Sequence, residues 1–206
     1  MLEDLEGAYD RLHQYLGLRP PRKLEVVIYD PAIFDRQFAA LFRFAAAGFY
    51  RGIICVRGDD RFSDALSGVL HHELVHAALH AADRSAVYPG WFNEGLAEWF
   101  QARTHGKRRL DSWELATLAR ARGAGQLFSF EALGIPGFGR MSPGAAQLAY
   151  LQSYGLMEYL GRRHGELSLR ELCVELVRTG DLRRTLRRVY RADLSALEAG
   201  FLSDLR

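Results

Sequence analysis

The sequence predicts an α+β fold: a small N-terminal lobe built on a sheet, then an all-helical C-terminal lobe, in one domain of 206 residues. Three observations lead there. Two runs rich in β-branched residues, Leu24–Tyr29 and Gly48–Gly58, lie before residue 60, each bounded by turn formers. From Ser63 onward the apolar residues recur every three or four positions, the helical period, with no further strand pattern. A content of 49% hydrophobic and 25% charged residues is ordinary for a soluble globular chain. The α+β part is expected over about residues 1–82 and the helical part over 83–206.

Composition also excludes partners. A net charge of +2 is too small to imply nucleic acid, an anionic membrane or an acidic substrate. Cys55 and Cys173 form no C-x-x-C pair and no disulfide framework, and read as buried thiols. Met1–Glu6 is acidic where a signal peptide would be basic and then apolar, and no apolar run reaches the ~18 residues of a membrane span. Unless it is a piece of a longer protein, the chain reads as cytoplasmic.

The elements follow in order. Leu2, Leu5, Tyr9, Leu12 and Leu16 make an amphipathic helix closed by Gly17. Pro20-Pro21 break the chain before the strand Leu24–Tyr29. Asp30-Pro31 is a cap with proline at the first helical position, and Ile33, Phe34, Phe38, Leu41 and Phe42 form that helix's apolar face. Gly48–Gly58 reads as one strand bounded by glycines. Ser63 or Asp64 caps a helix to about Ala82, and Pro89-Gly90 turns the chain into the next. Thr104–Arg109 is a polar loop, and Asp111–Glu114 is a capping box opening a helix to about Arg122. Glycines and prolines from Gly123 to Gly144 make a long loop, either a cleft rim or a plain connection. Helices over Ala149–Leu160, Leu167–Val177, Leu182–Tyr190 and Leu194–Leu205 complete the chain. Arg183, Arg184, Arg187, Arg188 and Arg191 form a basic stripe, read as a solvated helix face.

The chemistry concentrates in His71-His72-Glu73-Leu74-Val75-His76. Four residues apart on a helix, His72 and His76 share one face about one pitch (~5.4 Å) apart and can bite one ion. Glu73 stands roughly 100° around the helix, beside the ion rather than on it. Catalytic zinc takes three protein ligands and keeps an open position. The third must come from elsewhere, and Trp91-Phe92-Asn93-Glu94-Gly95-Leu96-Ala97-Glu98 offers two carboxylates four apart on one helix face. We assign Glu94 as the third ligand and Glu98 as the acceptor of a ligating imidazole's free N–H. His71 points away from the stripe, toward solvent or an outer contact. His80 continues it one turn on, but lacks the glycine turn that would bring a third histidine to the ion.

Taken together, the H-E-x-x-H at 72–76 and the segment 91–100 resemble the gluzincin zinc peptidases, which include thermolysin-like and aminopeptidase-N-like enzymes and the smaller peptidase-MA-like domains. The resemblance covers residues 24 to about 165, closely only at the motifs. It implies a zincin-like arrangement with the cleft between the lobes, one Zn2+ per chain on His72, His76 and Glu94, and a peptide or protein substrate. It also implies that zinc activates a water whose proton Glu73 removes. Ala149–Leu160 resembles the aminopeptidase segment Tyr-x-Lys-Gly that supplies a tyrosine to the oxyanion. Tyr150 matches that tyrosine while Gln152 and Ser153 depart from Lys-Gly, and Tyr154 is the alternative donor. Both tyrosines could instead be core aromatics.

In gluzincins the strand before the metal helix lies at the sheet edge lining the cleft, where a peptide can add by main-chain pairing. For Gly52–Val56 the alternative is an interior strand. Aminopeptidase-N-like enzymes hold the substrate's α-amine with acidic groups, including the glutamate of a G-x-M-E-N strand, and Gly52–Val56 has no carboxylate. The expectation is therefore an endopeptidase, with Asp59 and Asp60 as the groups that could restore an amine anchor. A catalytically inactive zinc- or peptide-binding module, or a hydrolase of a non-peptide amide, are the alternatives.

Overall fold

The computed structural model describes residues 1–21, 23–58 and 61–205; Asp59 and Asp60 lie outside the described residues. The fold is mostly helical with one small sheet, an α+β architecture. Helix α1 (Leu2–Leu16) ends on Gly17, whose left-handed φ of 70° lets its N–H return to the His13 carbonyl. Strand β1 (Val26–Tyr29) leads to α2 (Pro31–Phe38), where the Asp30 side chain accepts from the N–H groups of Ala32 and Ile33. That helix stops before Leu41 and Phe42, so the apolar face expected to include them is shorter. Phe42 packs instead on Phe44 and Phe49.

Gly48–Gly58 is not one strand. It is a hairpin of β2 (Gly48–Tyr50) and β3 (Ile54–Arg57), paired antiparallel with Phe49 opposite Cys55. Gly52, at φ 88°, makes the reversal, a conformation that β-carbon crowding denies to most residues. β1 joins β3 in parallel, giving the order β1-β3-β2. Gly52–Val56 is thus turn plus interior strand, correcting the edge expectation. The edge on this side is β2.

The side chains of β3 explain its central place. Ile54 and Val56 bury against Leu66 and Leu70 of α3 (Asp64–Ala82), while Cys55 faces Phe34 and its aromatic neighbours on the other side. Ser63 Oγ caps α3 by accepting from Leu66 N–H at 3.2 Å. Then come α4 (Gly90–Thr104) and α5 (Ser112–Gly123), the latter opened by the reciprocal Asp111–Glu114 capping box. After a single 3-10 turn at Ala132–Gly134 come α6 (Pro143–His164), α7 (Glu166–Thr179), α8 (Leu182–Tyr190) and α9 (Leu194–Asp204). The five arginines of the basic stripe, Arg183 to Arg191, are all exposed.

One apolar core runs through most of the molecule. Trp91, Phe92, Trp99 and Phe100 of α4 are fully buried in it, alongside Leu12 and Leu16 of α1, Leu74 of α3 and Phe201 of α9. Because α1 packs on α7 as well as on α3, the N-terminal helix belongs to the same core as the helical part. α4 lies between α3 and α6, and Gly95 sets how closely it meets α6. A β-carbon there would stand 2.6 Å from the Ser153 carbonyl oxygen, closer than packed atoms approach. Both cysteines are buried and free. Among the described residues, no helix is long and apolar enough to cross a membrane.

Candidate metal centre

Two facing helices build the site: α3 brings His72, Glu73 and His76, and α4 brings Asn93, Glu94 and Glu98. The rings of His72 and His76 lie 4.9 Å apart at 70°, the relation that their spacing of four dictates. Glu94 Oε2 stands 3.4 Å from His72 Nε2 and 3.4 Å from His76 Nε2. That is longer than a good N–H···O hydrogen bond. It does match two donors on one tetrahedral ion, since bonds of about 2.0–2.1 Å at the tetrahedral angle place them about 3.4 Å apart. The three residues could hold a metal ion, their ligand atoms all lying within 4.8 Å of one another.

The outer nitrogens are also held. His76 Nδ1 is 3.0 Å from Asn93 Oδ1. An amide oxygen only accepts, so Nδ1 carries a proton and Nε2 is the nitrogen turned inward to the cluster. His72 Nδ1 lies 3.4 Å from Glu98 Oε1, so Glu98 stands beside that nitrogen at an ion-pair distance longer than a good hydrogen bond. Asn93 was not foreseen, and its only sequence signal is its position next to Glu94 on a helix facing the histidines.

The electrostatics describe a cluster in need of a cation. Burial alone would lower the His72 pKa, but the Glu94 carboxylate beside it and the charges of Glu98 and Glu73 carry it up to about 9. His76 rises for the same reasons, with Glu94 first among its partners. Burial would raise Glu94, yet His76 and His72 hold it down at about 2. In the metal-free chain, protons on the imidazoles supply the positive charge that the carboxylates require.

Glu73 is buried, and its Oε2 has no hydrogen-bond partner among the described residues. Burial pushes its carboxyl pKa up, against the pull of the two imidazoles, and Glu94 and Glu98 push the same way. An orphaned carboxylate oxygen is costly, and Glu73 is among the residues lining the site's cavity.

That cavity, 590 Å3 in volume, opens between β2 and α4 and contains His72, Glu73, His76, Glu94 and Tyr150 among its lining. Tyr150, on α6, has its ring 6.4 Å from that of His72 and is clamped edge-on between Phe44 and Phe138. Burial, then the charges of Glu94, Glu98 and Glu73, raise its phenol pKa, keeping it a donor. Tyr154 does not line the cavity. It is a core aromatic with a buried, unpartnered hydroxyl and Lys107 Nζ 5.6 Å from its ring centre. The residues that depart from Lys-Gly have structural work here. Gln152 exchanges two bonds with the Phe128 backbone, at 3.1 and 2.6 Å, and Ser153 Oγ donates to Ala149 O at 2.7 Å.

The long loop is rim at one point and core packing elsewhere, with Phe130, Leu133 and Phe138 buried in the main core. Pro136 lines the cavity, Gly137 lies against Glu94, and Gly139 O accepts from Arg43 N–H at 2.9 Å, joining the loop to the segment before β2. Phe42 and Phe44 on that segment form an aromatic wall that sequence reading had placed on helix α2 or left unassigned. His80 stands apart from the ligand cluster, its Nδ1 3.2 Å from the Tyr50 hydroxyl. His71 points away from the stripe as expected, but not into solvent: it is 1% exposed and hydrogen-bonded on both nitrogens. The chain matches no family model, no curated protein and no solved structure.

Proposed function

We propose that the protein is a zinc-dependent peptidase of gluzincin type, with a zincin-like cleft, acting on internal bonds of an extended peptide. The observation that carries this reading is Glu73, a buried carboxylate with an orphaned oxygen beside three converging ligands. A structural zinc site is usually closed by four ligands and has no use for such a base.

His72, His76 and Glu94 would hold the zinc, which when bound polarises a carbonyl and lowers the pKa of water toward ~7. Glu73 accepts the proton of the attacking water and hands it to the leaving amine. Tyr150 donates its O–H to the oxygen of the attacked carbonyl. Asn93 and Glu98 keep the imidazoles turned inward.

Internal cleavage has two supports. The edge strand β2 lines the cavity without a carboxylate, and the described lining residues include no lysine or arginine although the chain has 27. A substrate's terminal carboxylate lacks a cationic side chain, and its terminal ammonium lacks a partner on the strand; Asp83, the lining carboxylate outside the metal cluster, has its Oδ1 engaged by Ser85. An internal segment brings neither charge into the cleft. The test is hydrolysis of an internally quenched peptide capped at both ends. Activity should vanish on chelation and return with zinc; uncleaved peptide at full zinc occupancy contradicts the reading.

A further inference from the structure

Three histidines of α3 reach α4 or its partners, and only two belong to the metal cluster. His71 faces the other way, where it joins three helices. Its Nε2 lies 3.0 Å from Asp4 Oδ2 on α1, and its Nδ1 lies 2.9 Å from Thr104 Oγ1 on α4. Asp4 Oδ2 also accepts from Ser67 Oγ at 2.8 Å, one turn before His71 on α3. His71 and Ser67 are 1% and 5% exposed, so water cannot replace these partners cheaply.

The consequence lies in how α3 and α4 are held together. The ligands come from both helices, so the site exists only while their spacing and rotation are held to a fraction of an ångström. On the cavity side the two helices meet through Glu94, a carboxylate 3.4 Å from either imidazole, and through one normal hydrogen bond, His76 Nδ1 to Asn93 Oδ1 at 3.0 Å, which orients His76 but leaves His72 without a bond of that length to α4. On the opposite side His71 ties α3 to Thr104 with a normal hydrogen bond, and Asp4 fixes the ring from a third helix.

We propose that Asp4, His71 and Thr104 are positioning residues of the metal centre, with α1 acting as the outer support that holds α3 in register with α4. The inference rests on the metal-centre reading above. Removing Asp4 frees the His71 ring on the side of α1; removing the Thr104 hydroxyl breaks the α3–α4 tie on the side away from the cavity and leaves His76–Asn93 as the normal hydrogen bond between the ligand-bearing stretches. Either loosens His72 and His76 relative to Glu94 without touching a ligand.

The test measures zinc affinity by chelator competition, and the visible spectrum of the cobalt(II)-substituted protein, for Asp4→Ala, Thr104→Val and Thr104→Ser. Leu186→Ala, a buried α8 position away from the centre, serves as a matched loss of stability. Asp4→Ala and Thr104→Val should bind zinc about tenfold or more weakly, the lower end of what outer partners of metal ligands confer, and alter the cobalt spectrum. Thr104→Ser should restore both and Leu186→Ala should change neither. Should Asp4→Ala not fold, Thr104→Val carries the comparison alone. Wild-type affinity and spectrum in Thr104→Val, or equal weakening in Leu186→Ala, overturns the positioning role while leaving the centre intact. A wild-type chain that binds no zinc overturns both.

Discussion

Glu94 Oε2 and His72 Nε2 stand 3.4 Å apart across the α3–α4 interface, the separation of two ligands on one ion. His76 stands in the same relation to that oxygen, and the three residues could hold one metal ion. Zinc analysis of purified variants should find near-full occupancy in the wild type and in His80→Ala, and loss in His72→Ala and Glu94→Ala. Retention in Glu94→Ala alongside loss in His80→Ala would reassign the third ligand.

The metal-free chain should have an unusual pH profile. A pKa of about 9 for His72, above its ordinary 6.5, gives stability that is fully present below pH 6.5 and lost as pH rises through 9. Glu94, at about 2 against an ordinary 4.5, gives stability present above pH 4.5 and lost as pH falls through 2. The metal-free protein should therefore melt highest between these limits and lose stability from pH 6.5 to 9, by at most about 3 kcal/mol. Zinc-loaded protein should lack the alkaline decline, and zinc uptake at pH 7 should release protons, measurable by calorimetry in buffers of different ionisation enthalpy.

Tyr150 and Tyr154 separate cleanly. Tyr150→Phe should keep zinc and lower turnover by about 10²-fold, as for loss of one oxyanion donor. Tyr154→Phe should leave turnover near wild type, its hydroxyl lying outside the cavity. Steady-state kinetics on one capped peptide decides it; the reverse pattern would transfer the role.

Gly95→Ala should destabilise by about 1–3 kcal/mol, since the added carbon meets backbone at Ser153, 2.6 Å away, rather than a mobile side chain. Gly68→Ala should cost less, because the nearest atom there is the terminal amide of Gln101 at 2.9 Å. Thermal melts compare them. An equal cost at both positions would mean that the α4–α6 crossing has slack.

Much of this site was legible because its logic is local. A spacing of four places His72 with His76 and Glu94 with Glu98, and Ser63 and Asp111 announce their helices whatever surrounds them. What escaped depends on distance along the chain. Nothing near His71 signals Asp4, 67 positions away, so a buried junction read as a bystander. The hairpin in Gly48–Gly58 turns on Arg51-Gly52, a two-residue break in an otherwise apolar run that reads alike as a blemish in one strand and as the turn between two. The aromatic wall depends on where α2 stops, and helix ends are weakly marked where no cap or proline follows.

An N-acetylated peptide and its free-amine twin test where cleavage falls. Both should be cut at the same internal bonds at similar rates. Single residues lost from the free N-terminus, and none from the acetylated peptide, would make the protein an aminopeptidase and turn attention to Asp59 and Asp60.

Glu73 tests the central claim most directly, through the product profile from an unbiased peptide library incubated with zinc-loaded wild type and zinc-loaded Glu73→Gln. The amide keeps the shape of the side chain but cannot take a proton from water. The account predicts internal cleavage products from the wild type and none above background from Glu73→Gln at equal zinc occupancy. Equal products from both proteins, or none from zinc-replete wild type, would contradict it.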